Sequence, residues 1–181
     1  MKELAGKNIF GITLKRLTYQ LIEEHDDFSN SVLIGLQPRG IYLARRIKGI
    51  LKDILKKDIQ LGELDTTFFR DDFRHHEQPI IPSATHVDFL IENKKVVLID
   101  DVLYTGRTIR AGLDALLAFG RPLKVELLVF VDRRYSRQVP VEPNYVGIAV
   151  DTIVSQKVKV SWKETDGEDG VVMVSVKDNQ G

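Results

Sequence analysis

The sequence predicts an open α/β fold: a parallel sheet flanked by helices, with a C-terminal β flap. Three observations carry this. Short β-rich runs alternate along the chain with stretches of helical spacing. The runs Val96–Ile99 and Leu127–Val131 are apolar on both faces, as parallel strands covered by helices must be. The tail instead alternates apolar and polar residues, which marks a half-exposed hairpin.

The elements follow in order. Leu14, Leu17 and Leu21 fall at i, i+3, i+7 and predict the first helix. Val32–Leu36 is the first strand. Leu43, Ile47, Ile50, Leu51, Ile54 and Leu55 form the apolar stripe of a basic helix, and Ile59–Leu64 is the next strand. Thr66 to Asp88 is long and polar, and a connection of that length in a compact domain is usually either a functional lid or disordered. Val96–Asp100 returns to strand. Ile109, Leu113, Leu116 and Leu117 then predict a helix that stops at Gly120, with Pro122 just beyond. Val125–Val131 and Tyr145–Val150 complete the sheet, and residues 157–177 form the hairpin around the turn-rich Thr165–Gly170. The whole, 1–181, reads as one domain.

Composition narrows the chemistry. The 181 residues hold 26 Lys+Arg, 26 Asp+Glu and no cysteine. Disulfides, thiolate metal sites and a cysteine nucleophile are therefore excluded. There is no signal-like start and no apolar run of spanning length, so a cytoplasmic protein without membrane contact is expected. Zero net charge argues against general nucleic-acid affinity, which needs excess Lys and Arg. Neutrality still hides local polarity: seven basic residues lie between Arg39 and Lys57, with Asp53 the only acid among them.

The stretch Val96 to Thr108 carries the chemistry. An apolar strand ends in Asp100 and Asp101, a short loop with Thr105 and Gly106 follows, and a helix begins. In an open α/β sheet, ligands bind beyond the carboxyl ends of the strands. A helix N-terminus suits phosphate, Thr105 and Thr108 add hydroxyl donors, and Gly106 permits close backbone approach. The two carboxylates accept hydrogen bonds, so they suit sugar hydroxyls or the water shell of Mg²⁺. One loop that serves a phosphate and vicinal hydroxyls reads as a phosphoribose site.

Val97 to Thr108 resembles the phosphoribosyl pyrophosphate (PRPP) motif of type I phosphoribosyltransferases. The fuller run Ile99 to Leu117, followed by Gly120-Arg121-Pro122, resembles the PyrR family of pyrimidine operon regulators with uracil phosphoribosyltransferase activity. Arg39–Ala44, Gly62–Thr66, Arg70-Asp71-Asp72, Val131-Asp132-Arg133 and Asn144–Gly147 fall in the same order, so the resemblance runs from about Leu14 to Val174.

The resemblance implies a type I phosphoribosyltransferase fold, with a small hood beside the parallel sheet, converting uracil and PRPP to UMP and pyrophosphate. It makes Asp100, Asp101 and Arg70 the catalytic candidates. Asp100 and Asp101 would contact ribose hydroxyls, and Arg70, in the catalytic loop 66–88, would meet pyrophosphate. Thr105, Gly106, Arg107 and Thr108 would cradle the 5′-phosphate, with Val102, Leu103 and Tyr104 completing that loop. Pro38, Arg39 and Gly40 occupy the pyrophosphate-loop position, where the planar fork of Arg39 suits phosphate oxygens. Asp132 and Arg133 sit where base contacts are expected. Mg²⁺ would arrive with PRPP, at most water-bridged to Asp100 and Asp101, with no direct protein ligands. His75 and His76 lack metal-site spacing and read as solvated. No general base for uracil stands out.

Further partners implied are UMP and UTP as sensed nucleotides, a messenger RNA leader, and a second copy in a homodimer or homotetramer. Arg134, Tyr135 and Arg137 form the candidate RNA patch. Two departures bear on RNA binding and base choice. The pyrophosphate loop, usually Lys-Thr-Arg-Gly, is Gln37-Pro38-Arg39-Gly40 here, and the usually basic segment after Gly147 reads Ile148 to Val154. Alternative readings are an attenuation regulator with little enzymatic role and a purine phosphoribosyltransferase. The run Asp101 to Thr108 argues against the purine reading.

Overall fold

The structure is a computed structural model that describes residues 1–71, 84–153 and 155–175. His75, His76, most of the expected catalytic loop, Val154 and the last residues of the expected hairpin lie outside them.

Five parallel strands form the main sheet: β2 (Ser31–Leu36), β3 (Leu61–Leu64), β4 (Lys95–Leu103), β5 (Lys124–Arg134) and β6 (Tyr145–Asp151). Their spatial order is β3-β2-β4-β5-β6, so β4 lies in the middle. The expected parallel sheet is therefore present. Four of its strands are longer than the apolar runs that announced them, whereas β3 is shorter and starts at Leu61 rather than Ile59. β4 continues past Asp100 and Asp101, because Val102 and Leu103 still pair with Val131 and Asp132 of β5.

Period-two alternation sends neighbouring side chains into two separate cores. Leu33, Val97, Ile99, Leu128 and Phe130 face α1 (Lys7–His25) and α2 (Gly40–Leu55). Ile34, Leu36, Val96, Leu98 and Val129 face α3 (Arg107–Leu116). Glycine lets α3 press close: a Cβ on Gly112 would lie 3.0 Å from Leu36 Cδ2. The helix ends in a 3-10 turn, Leu117–Phe119, and Gly120 takes φ +125°, as its position just before Pro122 predicts.

The tail forms an antiparallel pair, β7 (Gln156–Ser161) and β8 (Gly170–Ser175). The structure adds two features. β1 (Lys2–Ala5) joins the other edge of β8, making a three-stranded hood from both ends of the chain. The connector also contains a single helical turn, α4 (Lys163–Asp166). Fully buried Trp162 anchors the hood to the main body, edge-on to Phe10 at 5.2 Å and close to Phe130 at 5.9 Å. Arg46 of α2 lies over the Trp162 ring and pairs with Glu164 and Asp169. No described helix is long and apolar enough to cross a membrane.

Candidate active site

The carboxyl end of β4 and the N-terminus of α3 meet at a tight loop. Gly106 enters the helix at φ +87°, a conformation that favours glycine. A second segment holds this loop from behind. Gln138 N and Val139 N both donate to Thr105 O, at 2.9 and 3.1 Å. Arg137 donates to the carbonyls of Tyr104 (2.7 Å), Arg133 (3.0 Å) and Val141 (3.1 Å), and pairs with Asp132. Of the three RNA candidates, Arg137 is thus engaged inside the protein. Tyr135 is 84% exposed at a loop tip, and Arg134 pairs with Asp151 at 2.8 Å.

Three cavities adjoin the end of β4, and Val102 lines all of them. The smallest, about 110 Å³, is walled by Asp100, Thr105, Gly106, Thr108 and Arg70. Arg70 Nη1 donates to Thr108 Oγ1 at 3.1 Å, so the loop arginine lies at the N-terminus of α3 and lines this cavity rather than the one beside Arg39, although the resemblance implies a pyrophosphate contact for it. The neighbouring Asp71 pairs with Arg107. The N-terminus of α3, with its positive dipole end, faces this compartment.

The second cavity, about 320 Å³, lies between Tyr104, Arg133, Gln156 and Val158. Arg133 stacks on Tyr104 with its guanidinium carbon 3.8 Å from the ring centroid. It donates to Thr152 Oγ1 (3.2 Å) and Gln156 O (2.7 Å). Burial pushes the Arg133 pKa down, against the pull of Tyr104. The result is a flat, partly apolar slot with polar groups on its rim.

The third cavity, about 340 Å³, is lined by Arg39, Asp101, Val158, Lys159 and Val160. The loop before α2 reaches it because Gly40 packs directly on β4: a Cβ there would lie 2.5 Å from Ile99 O and 2.9 Å from Asp100 Cα. The preceding Gln37–Pro38 peptide is cis, and Gln37 Nε2 donates to Ala84 O. Arg39 donates to Asp101 Oδ2 (3.3 Å), Val160 O (2.6 Å) and Asp166 Oδ2 (2.8 Å). Burial opposes the Arg39 charge, but Asp166 and Asp101 outweigh it and raise its pKa.

Burial and the adjacent Asp101 drive the Asp100 carboxyl well above the usual range. Burial raises Asp101 as well, with Arg39 opposing it. Two neighbouring acids in a dry strand end resist full ionisation until hydroxyl donors or a cation arrive. Among the described residues no group of three or more His, Asp or Glu stands ready to hold a metal. Hard carboxylate oxygens suit Mg²⁺ carried in on a substrate.

The sequence-predicted residues Arg39, Gly40, Arg70, Asp100–Thr108 and Arg133 thus converge on one mouth. Sequence reasoning missed Lys159, Asp166 and Gln156, which come from the hood. The alternation of Lys157 and Lys159 with Val158 and Val160 was their only local signal.

The chain matches the phosphoribosyl transferase domain family over residues 2–165. It is 45% identical over 168 residues to the bifunctional protein PyrR of Elusimicrobium minutum, covering 92% of each chain. It is 42% identical over 173 residues to the bifunctional protein PyrR of Streptococcus mutans, covering 93% of this chain and 95% of the relative. Among solved structures, the hypoxanthine phosphoribosyltransferase of Trypanosoma cruzi superposes with a TM-score of 0.73 at 15% identity, covering 97% of both chains. One from Staphylococcus aureus superposes with a TM-score of 0.69 at 19% identity, covering 98% of this chain and 93% of that one. At such identities these two structures establish the fold alone.

Proposed function

The chain belongs to the phosphoribosyl transferase domain family, with bifunctional PyrR proteins as relatives, and from that premise we propose that it converts uracil and PRPP to UMP and pyrophosphate while also sensing pyrimidine nucleotides as a regulator of pyr genes. The observation that carries this reading is the meeting of three compartments at Val102, beside the Asp100–Asp101 pair. Phosphate, base and pyrophosphate need three differently built places around one ribose.

In this reading, the α3 N-terminus, Thr105, Thr108 and Arg70 hold the 5′-phosphate. Asp100 and Asp101 accept hydrogen bonds from the ribose hydroxyls, which relieves their burial without a full charge pair. Tyr104 and Arg133 form the base slot, and Arg39 faces the leaving pyrophosphate. The C1′–oxygen bond to pyrophosphate breaks as a bond from C1′ to the uracil nitrogen forms. The electron pair leaves with pyrophosphate, and the proton of the uracil nitrogen is released to solvent. Mg²⁺ bound with PRPP would offset charge on that leaving group. The protein's own share is positioning and fixed electrostatics. Of the regulatory patch, Arg134 and Tyr135 remain at the surface for RNA, whereas Arg137 braces the phosphate loop.

The decisive measurement is uracil-dependent release of pyrophosphate from PRPP and Mg²⁺. The wild type should turn over uracil, and Asp101→Asn should lower kcat/KM for PRPP by about a hundredfold. Turnover with hypoxanthine or guanine but not uracil would refute the base assignment, and unchanged kinetics in Asp101→Asn would refute the placement of the ribose site.

A further inference from the structure

We propose that Lys159, on the hood strand β7, is a second cation for the pyrophosphate end of PRPP, acting with Arg39 across the cavity they share. The proposal deepens the phosphoribosyltransferase reading and rests on it. Pyrophosphate carries several negative charges, and the loop 37–40 offers it one cationic side chain, Arg39, with uncharged Gln37 two residues before. The same 340 Å³ cavity is also lined by Lys159, from the hood strand β7.

A single carboxylate organises the two cations. Asp166 Oδ2 accepts from Arg39 at 2.8 Å, and Asp166 Oδ1 lies 3.3 Å from Lys159 Nζ. Trp162 N also donates to Asp166 Oδ2 at 2.9 Å, and Thr165 Oγ1 at 3.2 Å. That backbone N–H, together with Arg39, holds the Asp166 carboxyl far below its ordinary range, so it stays anionic. Anchored this way, Asp166 keeps both cations beside one cavity before any substrate arrives. A lysine ammonium has three donors and a guanidinium five, so pairing with Asp166 does not exhaust either. The Lys159 side chain is 59% exposed and therefore has room to turn from Asp166 to an incoming phosphate. Residues alternate along β7, so Lys157 stands on the same strand face and lines the neighbouring base slot. The two lysines therefore serve different compartments.

The geometry also sets the discriminating test. PRPP fills the phosphate and pyrophosphate compartments, whereas UMP fills the phosphate and base compartments, lacks pyrophosphate and leaves the Arg39–Lys159 cavity vacant. Calorimetry on the full chain would measure binding of PRPP with Mg²⁺ and, separately, of UMP to wild type, Lys159→Gln and Lys159→Arg. Lys159→Gln should weaken PRPP about tenfold, as expected for a lost charge-assisted contact. Its UMP affinity should match the wild type, and Lys159→Arg should recover most PRPP binding. Equal weakening of both ligands would mean that Lys159 only supports the hood, and would overturn the proposal. Unchanged PRPP binding in Lys159→Gln would overturn it too. A wild type that binds neither ligand would instead refute the phosphoribosyltransferase reading itself.

Discussion

At the scale of single residues, the site joins function to instability. Asp100 is buried beside another acid, and its raised pKa means that folding penalises its ionised form. The folded chain binds this proton more tightly than the unfolded chain. Asp100 therefore destabilises the protein at neutral pH, and the penalty fades as pH falls toward the ordinary carboxylate value of 3.8. Asp100→Asn removes the charge and keeps the shape. We expect it to raise Tm at pH 7.5 by about 2–4 °C, equivalent to roughly 1 kcal/mol, while lowering PRPP turnover. Differential scanning calorimetry without ligand checks the first part. An unchanged or lower Tm would show that the carboxylate is not strained by its surroundings. The acid pair was legible in the sequence because it ends an apolar run. Its strain was not, since that depends on Gly40 packing against Asp100 from a distant loop.

At the scale of elements, one buried aromatic side chain is central to the seam between hood and body. Trp162 packs on Phe10 from α1 and Phe130 from β5, so three distant parts of the chain share a single apolar knot. Trp162→Ala should lower stability by about 3–5 kcal/mol, the usual result of removing a fully buried large side chain. An unfolding free energy from urea melts within about 1 kcal/mol of wild type would contradict this anchoring role. The sequence showed the hairpin through period-two alternation over two long runs. It hid β1, because four residues are too few to establish a period and their partners in β8 lie at the other end of the chain. It also obscured the start of α1. Ile9 and Ile12 are exposed while Phe10 is buried, which blurs the apolar stripe that becomes clear only from Leu14.

At the scale of the whole molecule, the two ends of the parallel sheet have opposite chemistry. The carboxyl ends carry the three cavities beside Val102, and the amino ends carry a buried polar cluster. There His25 Nδ1 lies 2.8 Å from Ser31 Oγ, while His25 Nε2 lies 2.8 Å from Glu126 Oε2. Tyr145 donates to the same Glu126 oxygen at 2.9 Å. Lys124 pairs with the other Glu126 oxygen, and Glu24 and Lys95 also act on His25. Burial lowers the His25 pKa despite the attraction of Glu126. The unfolded chain therefore takes up this proton first, and stability falls as pH drops below the ordinary value of 6.5 toward the folded one. Asp100 has the opposite sign, so the His25 share is read by difference. Between pH 7 and pH 5, wild-type Tm should fall by at least 2 °C more than that of His25→Gln, about 1 kcal/mol of linkage. Parallel curves would remove His25 from the account. The main sheet was legible from continuous apolar runs that only a doubly covered sheet explains. The Arg39–Asp166–Lys159 arrangement was not, because it joins residues over a hundred positions apart through one carboxylate. That arrangement also gives the protein an optical property. Trp162 is the only tryptophan in the chain, and its own backbone N–H donates to Asp166. The intrinsic ultraviolet emission of the molecule therefore arises chiefly from one indole seated beside the clamp, an internal fluorophore that reports on this junction without any attached dye.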